Sequence, residues 1–179
     1  MNAIAAETAT LDARVQALVA LFERIAATRM QGVPMLHEAL RVAAVGFEPD
    51  AGAGDAAGAV GVLVTPWFMN LVWLPLRESA EPLAVRASRM RAVGNERFEF
   101  LGAHEEGFGP FEACSLFSPM FQFEDQAAAL STAEEVLRQL RRAPEAPVAA
   151  PATEPMPARR AWLLARGTRG SNSGAEASR

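Results

Sequence analysis

Phe111-Glu112-Ala113-Cys114-Ser115-Leu116-Phe117-Ser118-Pro119-Met120-Phe121-Gln122-Phe123-Glu124-Asp125-Gln126 holds a strand, a break and a helix start in one run. Phe111 to Phe117 is aromatic and apolar, bounded by turn signals, and reads as a strand. Pro119 cannot donate a ladder hydrogen bond, so Ser118-Pro119 ends it. Asp125 is an N-cap residue ahead of Leu130, Ala133, Leu137 and Leu140, which share one helix face. The strand's partner lies just upstream. In Glu96 to Leu101, Phe98 and Phe100 alternate with Arg97, Glu99 and Leu101. The connection from Gly102 to Pro110 is too short for a crossover, which forces an antiparallel hairpin.

The rest of the chain builds outward from this hairpin. Thr10 is a candidate N-cap, and Leu11, Val15, Leu18, Phe22 and Ile25 follow at helical spacing, with Gly32 and Pro34 as stop signals. This stripe covers too few heptads for a coiled coil and suits packing on a sheet. Leu40 to Phe47 and Ala59 to Thr65 read as strands around an Ala/Gly/Asp-rich loop, and Leu71 to Leu74 as a buried strand ended by Pro75. Arg77 to Val93 fits neither period and is taken as extended. Glu134 and Arg138 are spaced for an i,i+4 pair, and Pro144 stops the last helix. The expected fold is therefore α+β: an antiparallel sheet of about five strands flanked by an N-terminal and a C-terminal helix. Residues 1–142 form one domain in this reading. Residues 143–158 are a Pro/Ala-rich linker, and 159–179 a basic, flexible tail, so that the C-terminal extension is disordered.

Composition removes several classes of chemistry. Every basic residue is arginine, so no P-loop lysine, Schiff-base lysine or lysine base exists. The histidines, His37 and His104, are too few for a multi-histidine metal site. A single cysteine makes no disulfide and no C-x-x-C pair. Residues 1–142 carry 12 arginines against 18 acidic residues, an acidic body that argues against a nucleic-acid surface. No apolar run approaches the roughly 18 residues of a membrane span. Met1 to Asp12 lacks a basic residue before an apolar stretch, so no secretory signal and a cytoplasmic location are expected.

Four features carry possible chemistry. Cys114 lies among Phe111, Ala113, Leu116 and Phe117, the setting of a structural core thiol; a nucleophile would need His104 across the hairpin as its base. His104-Glu105-Glu106-Gly107 lacks the second histidine of a metalloprotease motif and reads as a solvated acidic turn. Its Glu105 and Glu106, with Glu112, form a cluster suited to a partner's arginines. Trp73 and Phe117 read as core, whereas Trp67, Met120 and Phe121 sit beside proline breaks, where core and partner surface both remain open readings. Finally, Arg159-Arg160-Ala161-Trp162-Leu163-Leu164 has the pattern of a twin-arginine export signal at the wrong end of the chain. It is either a tail docking through Trp162 or an imitation of a partner's signal that occupies the same groove.

Val64-Thr65-Pro66-Trp67-Phe68-Met69-Asn70-Leu71, Phe98-Glu99-Phe100, Ala113-Cys114-Ser115-Leu116-Phe117-Ser118-Pro119-Met120 and the Arg159-Arg160 tail resemble the HybE-type [NiFe]-hydrogenase assembly chaperones, also called HupJ or HoxT. The resemblance runs from the first helix through residue 142 and resumes at the tail. It implies a non-catalytic chaperone that binds the hydrogenase small-subunit precursor, with its twin-arginine signal, the large subunit, or both, before export. Partner contacts would then come from Trp67, Phe68, Asn70, Glu105, Glu106, Glu112, Met120 and Phe121, and from Arg159, Arg160 and Trp162 of the tail. Glu105, Glu106 and Glu112 would take the signal's arginines, and a groove near Trp67, Met120 and Phe121 its apolar segment. Some relatives are fused to a rubredoxin domain; this chain lacks those cysteine pairs, so no iron site or other cofactor is expected. No nucleic-acid partner and no stable membrane insertion are expected either. The competing classes are a small enzyme using Cys114 and a peripheral membrane protein using Trp162 and the tail arginines.

Overall fold

Val60, Val62 and Val64 point to one side of the sheet, and Ala59 and Leu63 to the other, and all are buried. A strand buried on both faces reads as a continuous apolar run, which is why Gly58–Val64 shows little polar alternation. The computed structural model describes residues 2–50, 57–77 and 82–142, with side chains from residue 10 onward. In chain order the elements are α1 (Asn2–Ala27), β1 (Ala43–Pro49), β2 (Gly58–Val64), β3 (Met69–Pro75), β4 (Ser88–Val93), β5 (Glu96–Glu105), β6 (Gly109–Phe117) and α2 (Gln126–Arg141). The strands form one six-stranded sheet in the order β1-β2-β3-β6-β5-β4, antiparallel throughout. It consists of two meanders joined along β3 and β6.

Each helix covers one face. α1 lays Leu18, Leu21, Phe22 and Ile25 against Leu63, Val72, Leu74 and Phe111. α2 lays Ala129, Ala133, Leu137 and Leu140 against Val60, Val62, Leu71, Trp73 and Phe100. Asp125 caps α2 as the sequence predicts, its Oδ1 accepting from Ala128 N at 2.8 Å.

The sheet curls around α2, and both of its edges reach the helix's C-terminal end. At β1 the register shifts between Val45 and Glu48, and Gly46 sits at φ 56°. A Cβ there would lie 2.7 Å from Leu137 Cδ1. Arg141 donates to the carbonyls of Gly46 and Val60 and to Glu48. At the other edge the β4–β5 turn places Gly94, φ 61°, under the Leu140 carbonyl, and Asn95 N donates to that oxygen at 3.2 Å. The turn thus satisfies a carbonyl that the end of a helix leaves open.

Several boundaries differ from the sequence expectation. α1 starts at Asn2, because Ala3, Ala5, Ala6 and Ala9 are strong helix formers, and Thr10 lies inside it. It ends at Ala27, before Gly32, where Thr28 Oγ1 turns back onto Arg24 O at 2.6 Å. Leu40 precedes β1 and is buried as a plug. β5 and β6 run further into their connection than predicted, leaving only residues 106–108 as the turn. The sixth strand is β4, hidden in the ambiguous Arg77 to Val93 stretch. On α2 the ion pair is Glu135–Arg138 rather than Glu134–Arg138. The expectations for residues 143–158 and 159–179 fall outside the described residues.

Candidate partner-binding surface

The two motif stretches around Thr65-Pro66-Trp67 and Ser118-Pro119 meet at one end of the sheet. Thr65 builds the β2–β3 turn. Its backbone N donates to Phe68 O at 2.8 Å, and its Oγ1 accepts from the amides of Trp67 and Phe68 and donates to Phe68 O. Ser118 Oγ donates to Trp67 O at 3.3 Å, tying the break after β6 to this turn. His37 fastens the third segment. Its backbone N donates to Pro66 O and its Nε2–H to Phe123 O, both at 2.8 Å. The Phe121 ring lies 6.3 Å from the imidazole, tilted by 33°. His37, which the sequence offers only as a lone histidine, is thus the staple of three segments.

This arrangement turns some of the predicted residues inward. Trp67 is 9% exposed and packs on Phe22 and Phe68. Met120 is fully buried in the α2-side core. Both correct the outward reading, because the chain folds back at the proline breaks and closes over them. Phe68 is half-buried against α1, and Asn70 lies in β3 with its Oδ1 buried and without a hydrogen-bond partner. Phe121 stands out at 57% exposed, with Met35 at 38% on the neighbouring segment. Beside them a groove of about 360 Å³ runs between the end of α1 and residues 36–42. Ala26, Ala27, Leu36, Leu40 and Pro66 form its apolar wall, and Glu23, Glu38 and Arg41 its charged rim.

The acidic cluster is not one site. Glu105 lies on the α1 side and pairs with Arg29 at 2.8 Å. Glu112 lies on the α2 side, is buried, and takes two hydrogen bonds from Arg91. Only Glu106 stays exposed in the turn. That turn is also remote from Phe121, since β6 runs from Gly109 to Phe117, about 26 Å at 3.3 Å per residue. A single groove served by all three carboxylates is therefore excluded, because their strand parity sends Glu105 and Glu112 to opposite faces. Arg159, Arg160 and Trp162 lie outside the described residues.

Cys114 is half-buried at the α2-side core. Burial, then the Glu99 charge, pushes its thiol up from the ordinary range. His104 pairs with Pro110, four residues along β6 and about 13 Å away, so it is no base for this thiol. Alkylation by iodoacetamide at neutral pH is expected to run slower than that of free cysteine, because only the thiolate attacks and the thiol is half-buried. Labelling as fast as the free thiol would restore the nucleophile reading.

The fold and this stapled loop end define the class: a small α+β protein with an apolar groove beside an exposed aromatic. Residues 13–165 match the model of the family described as "[NiFe]-hydrogenase assembly, chaperone, HybE". The chain is 48% identical over 160 residues to "Protein HoxT" of Cupriavidus necator, covering 86% of this chain and 89% of that one. It is 40% identical over 126 residues to the "Hydrogenase expression/formation protein HoxT" of Azotobacter vinelandii, covering 69% and 77%. With the "Probable rubredoxin HupJ" of Rhodobacter capsulatus it shares 37% over 131 residues, 73% of this chain but 45% of that protein. The solution structure of HybE from Escherichia coli has the same fold, with a TM-score of 0.53 at 19% identity over 90% of this chain and 91% of that one. The chain belongs to the HybE family of [NiFe]-hydrogenase assembly chaperones.

Proposed function

We propose that the chain holds a hydrogenase subunit in the cytoplasm during assembly, through the surface centred on Phe121. The small-subunit precursor, with its twin-arginine signal, is the first client, and the large subunit the second. The observation that carries this reading is the exposed Phe121 ring, fixed on His37 beside an apolar groove. Rigid exposed aromatics next to a preformed groove are the usual anchors of protein recognition. Glu23 and Glu38 on the groove's rim are placed to take client arginines, and the client's apolar segment fits between them. Trp67, Phe68 and Met120 act from beneath, holding the shape of this surface. Asn70 lies in the same layer, its buried Oδ1 still without a partner. The chaperone class itself implies no reaction at Cys114.

The test is a pull-down against separately expressed small-subunit precursor, the same subunit without its signal, and large subunit. Phe121→Glu is expected to weaken capture of the client by about tenfold or more, as for a hot-spot anchor. Because Phe121 is exposed, the variant's stability should stay within about 0.5 kcal/mol of the parent. Unchanged capture of every subunit by the variant would end the claim for this surface.

A further inference from the structure

A second cavity lies at the other end of β3 and β6. It measures about 500 Å³ and is walled by Pro75, Leu76, Pro82, Phe108 and Pro110. Arg14 of α1 and Arg77 line it as well. Arg14 is held in place twice. Its Nη1 donates to Phe108 O at 3.0 Å, and its guanidinium carbon sits 4.0 Å over the Phe108 ring. No carboxylate pairs with Arg14 among the described residues, and its Nε is buried without a hydrogen-bond partner. Burial also lowers its pKa from the usual arginine value.

Arg14 is half-buried, and even a partly desolvated cation with no counter-charge costs a fold free energy, since charges taken out of water are ordinarily paired. Arg91, whose side chain is only 9% exposed, obeys that rule by facing Glu112. Among the described residues Arg14 departs from it at the mouth of a cavity, where an outside anion would supply the counter-charge. The guanidinium's planar fork matches a carboxylate in two parallel hydrogen bonds, which a compact point charge does not reproduce. The walls select what carries that carboxylate. Three prolines, a leucine and a phenylalanine form a stiff, apolar lining that suits an aliphatic body. Because Phe108 already fixes the guanidinium, binding need not order it.

We infer that this cavity binds a carboxylate carried on an apolar peptide group, with Arg14 as the anion receptor. The site lies about 26 Å along β6 from the Phe121 surface and does not depend on the client reading. It gives the chain a second recognition point, of opposite charge preference to the acidic rim of the Phe121 groove.

The experiment titrates the full chain, labelled with nitrogen-15, with three probes: N-acetyl-leucine, its neutral amide N-acetyl-leucinamide, and inorganic phosphate. The readouts are the Phe108 and Gly109 amides and the Arg14 Nε–H resonance. N-acetyl-leucine is expected to give saturable shifts, with the amide at least tenfold weaker. Arg14→Gln should abolish the binding, and Arg14→Lys, which keeps the charge and loses the fork, should weaken it several-fold. Equal binding of acid and amide would overturn the proposal, since the cavity would then be an apolar cleft alone. Phosphate binding as well as the acid would overturn the carboxylate assignment, and no shift from any probe would overturn the site. The Ala26 and Leu36 amides, in the Phe121-side groove, serve as the internal reference, and shifts there in place of Phe108 would place binding in the wrong cavity.

Discussion

Gly94→Ala is expected to destabilise the fold by about 3–5 kcal/mol, summing left-handed backbone strain, overpacking and a weakened hydrogen bond. Gly94 has φ 61°, and a Cβ built on it would lie 1.7 Å from Leu140 O and 2.5 Å from Leu140 C. The obstacle is the backbone of α2, which cannot swing aside as a side-chain tip would. To make room, the β4–β5 turn must lift from the helix end, and the Asn95 N to Leu140 O bond goes with it. Gly107→Ala is the matched control. Its φ is 77°, yet nothing lies within 4 Å of the added carbon. It should therefore lose only the strain of the left-handed region, about 1 kcal/mol. Guanidinium denaturation of both variants separates the two terms through the shift in midpoint at unchanged slope. Equal losses for Gly94→Ala and Gly107→Ala would mean that the turn does not depend on its approach to α2.

The second large effect is expected at Glu112. Arg91 donates to it from Nε and Nη2 at 2.5 and 2.7 Å, with side chains only 9% and 5% exposed. Arg89 adds a longer contact of 3.6 Å from the same edge strand. The Arg91 guanidinium also lies 3.7 Å over the Trp73 ring, and Trp73 Nε1 donates to Asp50 at 3.1 Å. Glu112→Leu leaves Arg91 buried and unpaired, at a cost of about 3–5 kcal/mol. The Arg91→Met/Glu112→Leu pair removes both charges together and is expected to recover most of that loss. A double-mutant cycle reads the difference directly. If the double variant loses as much as the sum of the singles, the ion pair is not the unit holding β4 to β6.

Glu112 also shows where sequence reasoning stops. The elements with one greasy face were legible: the Leu11 to Ile25 stripe, the Phe98/Phe100 alternation and the Asp125 cap. β4 was hidden because its inward positions are Arg89, Arg91 and Val93, and two inward arginines erase the polar–apolar alternation. What satisfies them is the Glu112 carboxylate, 21 residues from Arg91 in sequence and invisible to any local window. One signal was available. Glu112 shares its parity with Cys114 and Leu116, which placed it on a core face and apart from Glu105. Met120 and Trp67 stayed open between core and partner surface for a related reason. A proline break says that the chain turns, and not which way it turns. His37 carried no pattern at all, since its role rests on the carbonyls of Pro66 and Phe123, distant in sequence from it and from each other.

The bulge at Gly46 has a consequence for how such a protein can handle sticky clients. β1 is an edge strand, and an open edge invites an extended apolar segment to add itself as another strand. Gly46 and Phe47 leave the ladder there, and Arg141 takes the Gly46 carbonyl from the side. At the opposite edge, β4 is six residues long and runs between Arg86, at φ 67°, and the Gly94 turn. Both edges are short or bent, so neither templates a growing sheet. On the proposed function, a client held at Phe121 would be retained by side-chain contact rather than by a ladder of backbone hydrogen bonds. Its grip scales with the apolar area touched, and letting go requires no sheet to be unzipped.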